Sequence, residues 1–148
     1  MSNGERTGWR DLALSERHRL WGFNCPSVDL DFLLVEYNLG KPVAIIEYKE
    51  DRARMPNTLH PTYRAITELA NMADLPFLIA FYSNVDWWFR IYPVNADAAR
   101  YYREGQVMSE REFVESLYHL RGLCIEQNVL AHLKRIKPIS GIRTGGRV

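Results

Sequence analysis

The 148-residue chain has only two cysteines, Cys25 and Cys124, and they stand in no CxxC pair or Cys/His cluster. Their spacing argues against a disulfide scaffold and against a zinc site, and it favours two small buried apolar side chains. The four histidines form no HExxH motif, and the serines lack a nucleophile-elbow context. The sequence therefore gives no support to histidine-metal chemistry or to serine hydrolysis.

The chain also lacks an apolar run long enough to span a bilayer, and residues 1–11 contain no signal-peptide core. We therefore expect a cytoplasmic protein. Its hydrophobic share of 47% and charged share of 25% are those of an ordinary globular protein. The length fits one domain, which we assign to residues 1–126.

Acidic residues are missing after Glu126. The first 126 residues hold 14 of the 19 lysines and arginines against all 18 acidic residues, which gives −4, and the remainder carries +5. Residues 127–148 are therefore predicted to form a basic, flexible tail. Such a tail is either a frayed, solvated end or an arm that contacts phosphates. Its basic residues are Lys134, Arg135, Lys137, Arg143 and Arg147.

Hydrophobic periodicity divides the domain into alternating helices and hairpins. Strands rich in β-branched and aromatic residues are predicted over 28–37, 43–49, 77–82 and 87–92, the first of them largely buried. Helices are predicted over 9–21, over 61–74 with Pro61 in the first turn, and after the capping box Ser109-x-x-Glu112. The apolar stripe of the second helix comprises Ile66, Leu69, Ala70 and Ala73. The sequence predicts an α/β fold with a mixed central sheet.

Three charged residues lie near one end of the first predicted hairpin. Asp31 comes early in one strand, and Glu47 and Lys49 come late in the next. A turn near Gly40 pairs Asp31 with either Glu47 or Lys49, and both registers bring the three side chains together on one face. Carboxylate oxygens suit Mg²⁺, which stabilises charge on a phosphate, and a lysine beside it holds or activates the attacking water. These groups predict phosphodiester hydrolysis.

Asp31, the hairpin turn and Glu47-Tyr48-Lys49 resemble the PD-(D/E)XK nuclease superfamily. The resemblance covers residues 9–82 and implies a restriction-endonuclease-like single domain, in which helices flank an antiparallel catalytic hairpin. It implies that Asp31, Glu47 and the Tyr48 carbonyl bind Mg²⁺ or Mn²⁺, and that Lys49 is the catalytic lysine. Leu30 replaces the proline of the motif.

The resemblance also implies roles for other elements. Many members add a glutamate from the first helix, for which Glu16 is the best match and Glu5 an alternative. The helix that follows the Glu-Tyr-Lys strand often supplies a polar residue, frequently glutamine. Here it offers Tyr63, Arg64, Thr67 and Glu68 instead, and the sequence does not select among them. Arg52, Arg54 and Arg64 are candidate contacts to nucleic acid.

The fourth predicted strand alternates between two faces. One face holds Trp87, Phe89 and Ile91, and the other holds Trp88, Arg90 and Tyr92. One of them packs into the core. The other is available for packing against a helix or a partner subunit, or for stacking on unpaired bases.

The sequence thus predicts a metal-dependent nuclease that acts on DNA first and RNA second, with a homodimer as one option. An alternative is a module that keeps the nuclease fold and binds nucleic acid or a protein partner without cleavage. A further alternative is an unrelated α/β interaction protein with an accidental motif. Divalent-metal binding separates this last alternative from the other two.

The basic tail gives the first testable prediction. If residues 127–148 contact phosphates, their removal will weaken nucleic-acid binding and flatten its dependence on salt, by about 0.9 in the logarithmic slope per lost contact. Binding isotherms at several salt concentrations measure this slope. An unchanged slope would identify the tail as a frayed end.

Overall fold

A computed structural model describes residues 12–21 and 28–135, in which five strands form one mixed sheet in the order in which they occur along the chain. The second and third strands are parallel, and the other neighbours are antiparallel. The predicted α/β class and mixed sheet are confirmed. The strands are β1 (Phe32–Glu36), β2 (Lys41–Glu50), β3 (Phe77–Tyr82), β4 (Trp88–Pro93) and β5 (Gln106–Ser109). The helices are α1 (Leu12–Leu20), α2 (Pro61–Met72), α3 (Ala96–Ala99), α4 (Glu110–Leu120) and α5 (Gln127–Arg135).

Helices cover both faces of the sheet. Consecutive strand residues point to opposite sides, so the buried strands present apolar side chains on both faces. On one face Ile45 and Phe77 pack with Ile66 and Ala70 of α2. On the other face Ile46, Leu78 and Ile91 pack with Phe113 of α4. We call these the α2 face and the α4 face. Glu47 and Lys49 share the strand parity of Ile45, so they belong to the α2 face.

The β1–β2 hairpin is confirmed, and it contains a bulge. Phe32 pairs with Ile46, but the register shifts between Leu34 and Val35, so that Val35 pairs with Pro42. Proline has no N–H to donate to the ladder, which favours an irregularity at this point. The turn uses Gly40 at a φ of 64°, a left-handed conformation that glycine adopts readily.

The prediction of a largely buried strand over residues 28–37 is wrong. β1 is shorter and mostly exposed, with Phe32 at 58% and Leu33 at 47% of full exposure. The physical reason is position in the sheet. Among the described residues β1 is an edge strand whose only neighbour in the sheet is β2, so no strand covers its other side. The apolar composition had indicated a central strand.

α2 begins at Pro61 as predicted, with His60 as its N-cap. The predicted apolar stripe is correct for Ile66 and Ala70 and wrong for Leu69 and Ala73, which are exposed. The helix contacts the sheet along a narrower line than the stripe, and Tyr63 continues that line toward its N-terminus.

The capping box at Ser109 and Glu112 is confirmed, but three short elements were not predicted. α3 and β5 have four residues each, too few to show a period. α5 lies within the predicted tail, so residues 127–135 are helical, and Leu130 and Leu133 line a groove beside Trp88. A truncation that tests the charge of the tail should therefore begin after Arg135, so that α5 is retained. Cys124 is exposed, against the prediction of burial, and Cys25 lies outside the described residues. No helix among the described residues has the length and apolarity to cross a membrane.

Buried Asn95 connects α2, β3 and α3. Its Oδ1 accepts hydrogen bonds from the N–H groups of Phe77 at 2.9 Å and Ala98 at 3.0 Å. Its Nδ2 donates to the Leu75 carbonyl at 2.9 Å and to Asn71 Oδ1 at 3.0 Å. One side chain thus caps α3 and fixes the C-terminal end of α2 against the start of β3.

Asn95→Ala is expected to lower the free energy of unfolding by about 3 kcal/mol, because it removes a helix cap and leaves buried backbone groups without partners. Chemical denaturation measures the change. Asp97→Ala, which removes an exposed ion pair on the same helix, is the control and should change stability by less than about 1 kcal/mol. Equal effects of the two substitutions would contradict this role for Asn95.

Candidate functional site

Asp31 and Glu47 lie opposite each other at the open end of the β1–β2 hairpin. Asp31 occupies the bend that precedes β1, and continuing the register from Phe32 and Ile46 by one step places Asp31 across from Glu47. The Ile45 N–H donates to Pro76 on the β3 side, so Glu47, two residues on, also directs its backbone toward β3. The 31–47 position is therefore a non-hydrogen-bonded pair with respect to β1, in which opposed side chains approach most closely.

The carboxylate of Asp31 also terminates the β1–β2 ladder. Its Oδ2 accepts a hydrogen bond from the Tyr48 N–H at 3.2 Å. In a strand the N–H and C=O of one residue point toward the same neighbour. The Tyr48 carbonyl therefore lies on the edge of β2 beyond the last β1 pair, beside Asp31. The Tyr48 ring points to the α4 face and contacts Phe113 there, and burial raises its pKa to about 12.

Glu47 is held from two directions. Its Oε2 accepts a hydrogen bond from the Tyr63 hydroxyl of α2 at 3.2 Å, and the same oxygen lies 3.5 Å from the Lys49 Nζ. The described bonds to Asp31 likewise involve one oxygen, Oδ2. Oδ1 of Asp31 and Oε1 of Glu47 are thus available to a further ligand.

The electrostatics of the patch favour a cation. Burial raises the pKa of Glu47, and the nearby charge of Asp31 raises it further, while Lys49 and Tyr63 act in the opposite direction. Like charges directly opposed across a hairpin are destabilising. The formal charges of Asp31, Glu47 and Lys49 sum to −1, so a divalent cation between the carboxylates would relieve their repulsion.

Lys49 and Tyr63 keep their protons at neutral pH. Burial acts to lower the pKa of Lys49, but the Tyr63 phenol and the Glu47 carboxylate outweigh it, so the pKa is raised. The pKa of Tyr63 is raised by burial and by the Glu47 charge. Lys49 is therefore an ammonium and Tyr63 a neutral phenol, and both act as hydrogen-bond donors.

The donor set fits Mg²⁺ or Mn²⁺ better than a metal that requires many protein ligands. Two carboxylates and one backbone carbonyl lie at the same end of the hairpin, and Mg²⁺ commonly takes one or two carboxylates with water and phosphate oxygens. Within the described ranges no group of three or more His, Cys, Asp or Glu side chains could hold a metal ion.

The other predicted site residues stand apart from this patch. The carboxylate of Glu16 accepts from Arg19 at 3.3 Å on the exposed surface of α1, and no described contact joins it to Asp31 or Glu47. Arg52 is highly exposed, 4.0 Å from Glu50, in the loop after β2. Arg54 in that loop and Arg64 on α2 are exposed as well. Glu5 lies outside the described residues.

Tyr63 is the residue of α2 that faces the patch, which the sequence left open. It lies three residues before Ile66 and seven before Ala70, so it continues the buried line of the helix by one turn. Its ring packs against Phe77 at 6.4 Å between centroids. Continuing the stripe toward the N-terminus would have selected Tyr63 over Arg64 and Glu68.

Comparisons with family models, curated proteins and solved structures give no significant match. The geometry of the patch therefore carries the functional interpretation.

The raised pKa of Glu47 predicts how stability depends on pH in metal-free protein. In the unfolded chain Glu47 titrates near 4.5. Its folded pKa is higher, so the folded state holds the proton more tightly, and its contribution to stability is lost as pH rises above 4.5 through the folded pKa. Glu47→Gln resembles the protonated form and should unfold at a higher temperature than the wild type at about pH 8, with the difference shrinking toward about pH 4.

Thermal melts in a chelator, followed by circular dichroism, measure this difference. Glu50→Gln is the matched control, because Glu50 follows on the same strand and points to the other face. A Glu47→Gln variant that is less stable than the wild type at high pH would contradict the assignment of a strained carboxylate.

Proposed function

We propose that this protein is a divalent-metal-dependent nuclease that hydrolyses phosphodiester bonds, with Asp31, Glu47 and Lys49 at its catalytic centre. The observation that carries the proposal is the direct opposition of Asp31 and Glu47, with Lys49 3.5 Å from the Glu47 carboxylate. A hairpin end that concentrates two carboxylates beside an ammonium is costly as a purely structural feature. The arrangement has the composition of a PD-(D/E)XK centre, and the restriction-endonuclease-like fold is part of the proposal.

Asp31 Oδ1, Glu47 Oε1 and the Tyr48 carbonyl would hold the cation. When bound, Mg²⁺ or Mn²⁺ supplies stabilisation of charge on the scissile phosphate and lowers the pKa of bound water. The hydrogen bonds from Tyr63 and from the Tyr48 N–H keep each carboxylate in place through its other oxygen. The ligands are thus oriented before the cation arrives, as metal sites require.

Lys49 acts as a donor and a positive charge in this scheme. Because its pKa is raised, it remains protonated and orients the attacking water through its lone pairs. Its charge also stabilises the negative charge that develops on the phosphate oxygens. The water oxygen forms the new bond to phosphorus and releases a proton to solvent, while the bond to the leaving oxygen breaks and that oxygen takes up a proton from solvent. Hydrolysis therefore consumes one water and needs no further reactant.

Substitution of each of the three residues should abolish most of the cleavage. Asp31→Ala, Glu47→Ala and Lys49→Ala are each expected to lower the rate by at least about 100-fold, because each removes an interaction made in the transition state. The two carboxylate substitutions should also weaken Mg²⁺ binding, and Lys49→Ala should spare it. Single-turnover cleavage of labelled DNA and RNA, with and without Mg²⁺, measures the rates.

Glu50→Ala and Lys41→Ala are the matched controls, since both lie on β2 outside the patch and should cleave at the wild-type rate. Metal-dependent cleavage that persists in all three site variants would place the active site elsewhere. A wild-type protein that binds nucleic acid and Mg²⁺ without cleavage would favour the inactive binding module.

A further inference from the structure

The α2 face of the sheet extends beyond the catalytic patch to a second set of functional groups on β4. Lys49 pairs with Phe81, and Phe81 pairs with Arg90, so the three residues form one row across the sheet. Two strand spacings separate Lys49 from Arg90, roughly 10 Å between their backbones. Trp88 and Tyr92 share the parity of Arg90. Phe89 and Ile91 are the buried residues of β4, so the face with Trp88, Arg90 and Tyr92 is the half-exposed one.

The side chain of Arg90 is arranged to bind an anion. It is half-buried, and no ion pair joins it to a carboxylate in the part of the chain that the structure describes. Its guanidinium carbon lies 5.0 Å from the centroid of the Trp88 ring. A guanidinium over an indole is held in a fixed direction, and its planar set of donors matches a phosphate.

Trp88 contacts Arg90 and also lines a groove. The groove lies at the same end of the sheet as the catalytic patch. The groove has a volume of about 350 Å³, and its other walls include Leu130 and Leu133 of α5. Asp86 and Glu110 also line it and would repel a phosphate. Aromatic and aliphatic walls with a few hydrogen-bonding groups suit a base, while Arg90 outside the groove suits the phosphate attached to it.

We propose that Trp88 and Arg90 bind an unpaired nucleotide next to the scissile phosphate, so that the substrate is single-stranded or contains a single-stranded segment. This inference rests on the proposed function, because the row from Lys49 to Arg90 places the nucleotide next to the scissile phosphate only if Lys49 is catalytic. A base can stack on Trp88 and enter the groove only if it is not paired in a duplex. Stacking on Trp88 therefore selects single strands over duplexes but does not distinguish one base from another.

The test is nucleic-acid binding by the full chain in a chelator, which separates binding from cleavage. Fluorescence anisotropy with a labelled single-stranded DNA, the RNA of the same sequence and the matching duplex gives the three affinities. The wild type is expected to prefer the single strands. Trp88→Ala should weaken single-strand binding by roughly 5- to 150-fold with little effect on the duplex, and Trp88→Phe should restore most of it.

Arg90→Gln should weaken single-strand binding and lower the logarithmic salt slope by about one, as the loss of one phosphate contact requires. Arg100→Gln is the matched control. It removes the same charge from an exposed position on the helix segment that follows β4, at the opposite end of that strand from Trp88. Circular dichroism confirms that each variant is folded.

The outcomes separate this inference from the proposed function. Single-strand binding that depends on Trp88, in a protein that cleaves nothing, supports a nucleotide site at Trp88 and overturns the nuclease. Cleavage that requires Asp31 and Glu47, with wild-type single-strand binding by Trp88→Ala, supports the nuclease and overturns the inference. Equal loss of duplex and single-strand binding also overturns it. If Trp88→Ala leaves nucleic-acid binding unchanged and alters only the molecular mass measured by sedimentation, a second copy of the chain covers this face and the inference is overturned.

Discussion

The opposition of Asp31 and Glu47 across the first hairpin is the constraint on which the candidate site depends. Antiparallel pairing fixes which residues face each other, and a one-residue slip would send one carboxylate to the other side of the sheet. The bulge at Leu34 and Val35 absorbs the irregularity that Pro42 introduces, and the ladder beyond it is regular as far as Phe32 and Ile46. Two carboxylates are thereby held side by side. Burial raises the pKa of Glu47, and the proximity of Asp31 raises it further.

The patch is connected to the rest of the fold through α2. Tyr63 reaches Glu47 from α2, and the other end of α2 is joined to β3 and α3 through the buried hydrogen bonds of Asn95. Tyr63 lies near the opposite end of α2 from Asn71, about two turns away along the helix. The pairing of β2 with β3, and of β3 with β4, places Lys49, Phe81 and Arg90 in one row across the sheet. The proposed catalytic patch and the proposed nucleotide-binding residues lie on one face because these strands share one register.

Local chemistry made much of the fold predictable. Pro61 at the start of α2, the reciprocal bonds of Ser109 and Glu112, and the β1–β2 hairpin are specified by residues close in sequence, and all three are confirmed. The exposure of β1 was not predictable, because an apolar strand does not reveal whether it has one neighbour or two. The partners of Asn95 are distant in sequence, so its role appears only in the folded chain.

The same distinction applies to the site. Asp31, Glu47 and Lys49 were found from a strand pattern and a short motif, while the register that opposes Asp31 to Glu47 depended on a bulge that the sequence left open. Tyr63 was one of four candidates, and only the packing of α2 selects it. Trp88 and Arg90 were visible as one of two alternating faces, and the burial of Phe89 and Ile91 decides which face is open.

If Asp31 and Glu47 together bind one divalent cation, as we propose, titration with Mn²⁺ will detect the site. Metal-free protein is titrated with Mn²⁺ while electron paramagnetic resonance reports the free ion, for the wild type and for Asp31→Asn, Glu47→Gln and the control Glu50→Gln. We expect one saturable site per chain in the wild type and in Glu50→Gln, and no such site in Asp31→Asn or Glu47→Gln. The absence of saturable binding in the wild type, or a site that persists in both Asp31→Asn and Glu47→Gln, would contradict this proposal.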